Sequence, residues 1–451
     1  MMNIVSAIFD RNSDDATAII HGGGAISYRE LHDRVCRLSS ALQRHGCWPQ
    51  SGIPRVALSF PSGPDYVVRA LAILHAGGCF LPVPEEFTPY ERDQLMAITS
   101  ADLLMTGESE LTNVQHEVPP GFSVDELEAI HPAFIRFSSG TTGRAKGIVL
   151  SHRALLERIT AANQVLRIGR GDRVLWMLPM AHHFAVSIVL YLYHGATTVL
   201  VPVDNLLKPA RDHGVTVIYG SPYHFAMLAA EPDAAPLPDL RLAVSTAFAL
   251  PESTAQLVRL KFGLPLQQAL GIIEAGLPLF NGDSAESKPC SIGKPIPSFQ
   301  AKIDQDTGEL FVKGPGMLDA YLSPWQSRDS LLQNGWLETG DIAERDADGC
   351  YFLRGRMHTV INVGGLKCFP EEVEGVLLQH PSVRAARVLG REHPGLGAAP
   401  MAEIVPRDPS QPPSVVDLRR HCQRQLAAYK IPFTYQFVST LPLTSSGKIL
   451  R

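Results

Sequence analysis

No two cysteines stand at CxxC spacing: Cys36, Cys47, Cys79, Cys290, Cys350, Cys368 and Cys422 are scattered and odd in number. That excludes a disulfide framework or a spaced zinc site as the organising device, and a reducing, cytoplasmic setting is expected. Charge is sparse as well. Only 19% of the 451 residues are charged and the formal net charge is −5, so no overall field attracts nucleic acid or an anionic membrane. Long apolar runs are missing: the longest region, Ala185 to Val203, is broken by His194 and Gly195 and reads as a buried helix followed by a strand. No stable membrane insertion is expected. The opening MMNIVSAIFDRNSDD has no basic leader and meets an acidic pair before an apolar stretch develops, so secretion is not expected either.

What is present is apolar content, 45% of the chain, enough for a large core divided into two or three lobes. Behind Ser27, apolar residues recur at Leu31, Val35, Leu38 and Leu42, the three-to-four spacing of an amphipathic helix with a serine cap. Short β-branched runs then alternate with helical stretches: Val56 to Phe60, Tyr66 to Ala76, Ala133 to Phe137, Gly147 to Leu150, His152 to Val165, Val174 to Leu178. Alternation of this kind predicts α/β layers with largely parallel sheets. From about Gly308 the texture shifts to short strands and tight turns, and a second unit begins there or soon after. Pro370 to Leu378 opens with proline and three early glutamates, as a helix start should, and a helix from Val415 and a strand at Thr434 to Val438 complete a small α+β domain.

The strongest chemical signal is FSSGTTGRAKGIVLSH, Phe137 to His152. Glycines let backbone amides close around oxygens, the hydroxyls of Ser138, Ser139, Thr141 and Thr142 add donors, and Lys146 adds charge, so the loop suits phosphate. It is not a Walker loop, because Ala145 occupies the second glycine position. A polar surface loop is the plain alternative. Glu274, soon after the strand-like LPLQQAL, has the chemistry to hold Mg²⁺ against triphosphate oxygens; on its own it also reads as a surface glutamate. Asp341, after Thr339 and Gly340, could accept from ribose hydroxyls with Arg356 reaching the same sugar or the phosphate, or the two could simply pair with each other. His182 and His183 are adjacent, so their side chains diverge and a two-histidine metal site is disfavoured.

Read in order, SYREL at Ser27, LHAGGCFLPV at Leu74, the SSGTTGRAKG loop, LPMAHHF at Leu178, STAFALP at Ser245, LGIIE at Leu270, GELFVKG at Gly308, WLETGD at Trp336, GRMHTVINVGGLKCFPEEVE at Gly355 and PLTSSGK at Pro442 resemble the adenylate-forming superfamily, and most of all its stand-alone aryl-acid and acyl-acid ligases. The resemblance implies a large N-terminal ATP- and acid-binding domain of layered α/β subdomains, 1–355, and a small mobile α+β domain, 356–451. It implies ATP and Mg²⁺ as cofactors and an acyl-AMP intermediate. It also implies transfer to the thiol of coenzyme A or of a carrier protein's phosphopantetheine. Because the sequence stops just past Lys448, a separate acyl carrier protein is an expected partner, in the manner of secondary metabolism.

Residue by residue, the resemblance assigns catalytic work to Lys448, Glu274 and His182. Nucleotide binding falls to Ser138, Ser139, Gly140, Thr141, Thr142, Gly143, Lys146, Thr246, Ala247, Gly271, Asp341 and Arg356, and Mg²⁺ to Glu274 and Thr141. The acid pocket takes His183, Phe184, Ser187, Tyr219, Ser221, Phe248, Ile272 and Ile273. The hinge and thiol tunnel take His358, Gly364, Gly365 and Lys367. His183 stands where amino-acid-activating relatives carry an aspartate for the substrate amine, so amino acids are disfavoured. Apolar walls predict an aromatic or modest aliphatic acid rather than a highly charged one. A stand-alone amino-acid adenylation domain and a degenerate nucleotide-binding scaffold remain the alternatives; the second is opposed by retention of Lys146, Glu274, Asp341, Arg356 and Lys448.

Overall fold

In the computed structural model the described residues are all except 1–2, 23, 86, 108–109, 115–122, 139–145, 202–205, 232–236, 358, 364–365, 394–395, 444–448 and 450–451. For 137, 138, 146, 186, 362, 367 and 397 only the backbone is described. Packing divides the chain into a first unit, Met1–Ala301 with Val312–Leu337, and a second, Lys302–Phe311 with Glu338–Arg451.

The first unit holds two sheets. In the nine-stranded one the order is Lys294–Pro295, Gly276–Phe280, Gln267–Ile272, Leu242–Ser245, Val217–Gly220, Arg173–Trp176, Thr197–Leu200, Thr17–His21, Gly24–Ser27. From Gln267–Ile272 to Thr17–His21 every pairing is parallel, and the strands beyond are antiparallel. The eight-stranded sheet runs Trp325–Ser327, Ala320–Leu322, Lys146–Ser151, Pro132–Ser138, Cys79–Pro82, Arg55–Leu58, Leu103–Met105, Leu111–Asn113. Here the parallel pairings join Pro132–Ser138 through Leu103–Met105, and the remaining pairs are antiparallel. The expected parallel layers are therefore parallel cores with antiparallel margins. Hairpins such as Pro132–Ser138 with Lys146–Ser151 need no crossover helix, which is why the alternation of elements did not reveal them.

The amphipathic helix forms as its pattern requires. Tyr28–Arg44 is capped by Ser27, whose hydroxyl accepts from Glu30 N at 3.1 Å, and it buries Leu31, Val35 and Leu42 while Leu38 is only partly covered. Tyr28 Oη donates to Ala196 O at 2.7 Å and ties the helix to the sheet. The apolar stretch after Leu178 becomes a short helix, Met180–His183, then a widened π turn, Phe184–Ile188, then Val189–Tyr193 and the strand Thr197–Leu200. A π turn displaces side chains from α spacing and is frequent at functional sites. It is held by rings: Phe184 packs on Tyr66 (6.0 Å between centroids) and Phe80 (5.6 Å), and Phe80 packs on Phe134 (5.7 Å).

The second unit contains most of a four-stranded sheet, Gln300–Ile303, Glu309–Lys313, Leu337–Arg345, Tyr351–Arg356, and the packing division falls within the first three of these strands. It also contains a five-stranded sheet built on Val383–His393 and Gly397–Pro406. Helices Pro370–Leu378 and Val415–Gln423 pack on that sheet around Val373, Leu377, Val388, Ile404 and Leu418. The division by packing falls earlier than the expected 355/356, close to the change of texture at Gly308. Strand Leu337–Arg345 pairs with Tyr351–Arg356, and helix Pro370–Leu378 packs on the latter, so these segments cohere.

Candidate active site

Four neighbouring parallel strands, Arg173–Trp176, Val217–Gly220, Leu242–Ser245 and Gln267–Ile272, end on the same edge of the large sheet. Their carboxyl ends carry, in turn, the segment up to His183, then Ser221, then Thr246, Ala247 and Phe248, then Ile273 and Glu274. Ligands of open α/β sheets bind outside the carboxyl ends of strands. Expected nucleotide and acid residues from segments far apart in sequence are thus gathered on one edge.

Glu274 is placed with care. Tyr321 Oη donates to its Oε1 at 3.0 Å; among the described residues no donor reaches the other carboxylate oxygen. The backbone beneath is latched from two sides. Leu318 N donates to Glu274 O at 2.7 Å. Buried Arg158 donates from Nε to Gly316 O at 2.9 Å, from Nη2 to the same oxygen at 2.6 Å, and from Nη1 to Ile273 O at 2.9 Å. Gly316 adopts φ +66°, and a Cβ there would stand 2.5 Å from Arg158 N, so only glycine admits this approach.

Among the described residues no cluster of three or more His, Cys, Asp or Glu side chains could by itself hold a metal. Mg²⁺ does not need one, being commonly held by one or two carboxylates together with substrate phosphates. A carboxylate with one anchored oxygen and one that no described donor reaches fits that role.

Thr246 is buried, and its Oγ1 lies 3.1 Å from where a Gly271 side chain would begin, so these two nucleotide candidates adjoin. Ala247 takes φ +79°, a left-handed conformation that costs an L-residue on the order of 1 kcal/mol. Burial raises the Tyr219 phenol, the Thr246 side chain acting the other way. Ser221 Oγ and His224 Nδ1 share a buried 2.7 Å hydrogen bond. Ser187 and Ile272 are buried, whereas Phe248 and Ile273 are partly exposed.

His183 sets its ring 6.3 Å from that of Trp176, at a steep angle. Burial first, then Arg136, His182 and His224, push its pKa well below the ordinary histidine value, so the ring is neutral at neutral pH. Arg136, which acts on His183, was not among the sequence candidates. A basic residue between Ile135 and Phe137 in an apolar strand was the available signal. Burial lowers its guanidinium to about 10, with Glu274 acting in the opposite direction.

In the second unit Asp341 and Arg356 stand opposite each other on paired strands, and Arg356 Nε lies 2.6 Å from Asp341 Oδ1. The mutual ion pair weighed from sequence is therefore formed. Asp341 is buried, and Thr339 Oγ1 accepts from its N at 3.1 Å. Next to them Gly340 N donates to Glu309 at 2.8 Å.

Several expected site residues lie outside the described residues: Ser139, Gly140, Thr141, Thr142, Gly143, His358, Gly364, Gly365 and Lys448. So do the side chains of Ser138, Lys146 and Lys367, although the backbone registers Ser138 against Lys146 at the mouth of the glycine-rich loop.

Comparison with known proteins gives a consistent result. The family described as AMP-binding enzyme matches residues 7–322, and the AMP-binding enzyme C-terminal domain matches 372–448. A feruloyl-CoA synthase of an Amycolatopsis species is 30% identical over 478 residues, covering 98% of this chain and 96% of the relative. The o-succinylbenzoate CoA synthetase of Bacillus subtilis, in complex with its acyl-adenylate intermediate, superposes with a TM-score of 0.87 at 26% identity, covering 100% of this chain and 97% of the other. ATP-bound MatB from Rhodopseudomonas palustris shares the fold, with a TM-score of 0.86 at 23% identity over 99% and 97% of the two chains.

Proposed function

The chain belongs to the AMP-binding enzyme family, and on that premise we propose how its own residues run an ATP-dependent, AMP-forming acid:thiol ligase. The enzyme activates a carboxylic acid with ATP and Mg²⁺ and passes the acyl group to coenzyme A. In the first step a carboxylate oxygen attacks the α-phosphorus and pyrophosphate leaves, giving acyl-AMP. In the second the thiol attacks the acyl carbonyl, loses its proton, and AMP leaves. Both steps depend chiefly on positioning and on charge stabilisation where oxygens become more negative.

The arrangement around Glu274 carries the assignment: one carboxylate oxygen is anchored by Tyr321, the other meets no donor among the described residues, and Arg158 holds the turn beneath. Mg²⁺ bound there would neutralise triphosphate charge, with Thr141 as a second ligand. The loop Ser138, Ser139, Gly140, Thr141, Thr142, Gly143 and Lys146 takes the phosphates. Thr246, Ala247 and Gly271 line the nucleotide. Asp341 takes the ribose with Arg356 beside it. Lys448 neutralises charge between the acid carboxylate and the α-phosphate, and His182 assists there. A hinge near His358, just past the 355/356 boundary, brings Gly364, Gly365 and Lys367 to the thiol in the second step.

The substrate is an aryl or a short to medium acyl acid, held by His183, Phe184, Ser187, Tyr219, Ser221, Phe248, Ile272 and Ile273. Neutral His183 offers no countercharge for an α-ammonium. A separate carrier protein in place of coenzyme A is the finer proposal about its partner. A cytoplasmic setting suits seven free thiols, and no helix among the described residues is long and apolar enough to cross a membrane.

The test is acid-dependent pyrophosphate release across benzoates, fatty acids of short and medium length, and amino acids, with Lys448→Ala alongside. Release with aryl or aliphatic acids, lowered on the order of a hundredfold by Lys448→Ala, is expected. Release with amino acids, or none affected by the variant, overturns the assignment.

A further inference from the structure

Arg136 sits in the strand Pro132–Ser138, paired opposite Ile148. Side chains alternate along a strand, so Arg136 shares a face with Phe134 and with the Ser138 position. Phe134 packs on Phe80, and Phe80 on Phe184, so this face looks toward the segment that carries His183. Arg136 thus lies one side-chain step, about 7 Å along the strand, behind the mouth of the phosphate loop. The opposite face, with Ile135, belongs to an apolar core with Leu81, Val149 and Leu322.

A guanidinium carries five N–H donors and no acceptor. Among the described residues Arg136 makes no hydrogen bond and no ion pair, although the residue is only partly exposed. Glu274 is near enough to act on it electrostatically, but the hydrogen bond at Oε1 of that carboxylate comes from Tyr321. The other polar neighbour on which it acts is His183, which is kept neutral. Arg136 therefore has donors that no described residue uses, beside a carboxylate whose hydrogen bond comes from Tyr321 and a histidine that is kept neutral. Enclosed charges are costly unless paired.

From the face it shares with Phe134, its set-back from the phosphate loop and its missing partner, we propose that Arg136 is the anchor of an anion subsite in the acid pocket, and that the acid this enzyme activates carries a second carboxylate, or an equally compact oxyanion, besides the one that reacts. The inference rests on the ligase reading above and adds the chemical class of the substrate. A bidentate guanidinium–carboxylate pair in such a place supplies both affinity and orientation, holding the far end of the acid so that its reacting carboxyl points at the nucleotide.

The test uses the purified full chain in acid-dependent ATP–pyrophosphate exchange with matched pairs: butanoate and succinate, pentanoate and glutarate, benzoate and 4-carboxybenzoate. Wild type, Arg136→Met and Arg136→Lys are compared, with the KM for ATP read alongside. In at least one pair the wild type is expected to favour the dicarboxylic member in kcat/KM by about tenfold or more. Arg136→Met should lower that member by about thirtyfold or more while changing its partner and the ATP KM by less than about threefold, and Arg136→Lys should keep part of the preference. Exchange with monocarboxylic members alone, equal losses for both members, or a selective rise in the ATP KM each overturns the subsite while leaving the ligase reading in place. Exchange with no acid at all removes both. If Arg136→Met does not fold, the wild-type preference together with its partial loss in Arg136→Lys decides the matter, and an undiminished preference in Arg136→Lys overturns the assignment to Arg136.

Discussion

Tyr321 and Glu274, 47 residues apart, are joined by a 3.0 Å hydrogen bond from phenol to carboxylate that links the eight-stranded sheet to the turn following strand Gln267–Ile272. Tyr321 lies on Ala320–Leu322, paired with the strand that leaves the glycine-rich loop. The expected metal-binding carboxylate and the expected phosphate loop are thereby referred to one sheet.

Tyr321→Phe keeps the ring and removes the donor. A hydrogen bond to a charged group contributes about 1.5–3 kcal/mol, so kcat/KM for ATP should fall by about tenfold or more while the unfolding midpoint moves little. Pyrophosphate exchange as a function of ATP concentration measures this. An unchanged profile would mean that the bond does not position Glu274.

Arg158→Met should cost both stability and rate. The substitution strips the carbonyls of Ile273 and Gly316 of their donors inside the fold, and each unsatisfied group costs about 1–3 kcal/mol. Urea unfolding should show a loss of several kcal/mol in total. Arg158→Lys, keeping charge but not the fork, should recover only part of the loss. The ratio of exchange rate to folded fraction separates misplacement of Glu274 from simple unfolding.

His152 predicts a pH dependence of stability. Its Nδ1 accepts from Ile4 N at 3.2 Å, which requires that nitrogen to be unprotonated, and burial lowers its pKa from 6.5 to about 4. With the folded pKa below the unfolded one, the folded chain binds fewer protons. The contribution is complete above about pH 6.5, declines as pH falls toward 4, and amounts to at most about 3 kcal/mol. Urea midpoints measured between pH 7.5 and 5 should fall, and His152→Asn, which offers an acceptor that does not titrate, should flatten the slope. An equal slope in the variant would assign the dependence to other groups.

Much of this architecture was legible because short-range rules govern it. Ser27 capped the helix Tyr28–Arg44, and proline with early glutamates began Pro370–Leu378 where expected. The antiparallel margins were not legible, since a strand's own residues do not state the direction of its neighbour. Leu38 keeps its place in the apolar period yet stays partly exposed, because burial at a periodic position depends on what packs against it. Arg136 is not legible for a related reason: a single arginine in an apolar strand acquires meaning only from what its face looks upon.

The order of motifs from Ser27 to Lys448 was sufficient to determine the family and, with it, the chemistry, since residue types at set spacings are what phosphate, metal and carboxylate require of a chain. Tertiary structure alone decided which of those residues meet. It brought Glu274 under Tyr321 and over Arg158, closed Asp341 onto Arg356 across a strand pair, and brought Arg136 near enough to act on His183. Those relationships depend on strand register and on which side of a sheet a residue faces. A shift of one position reverses them without altering a single motif.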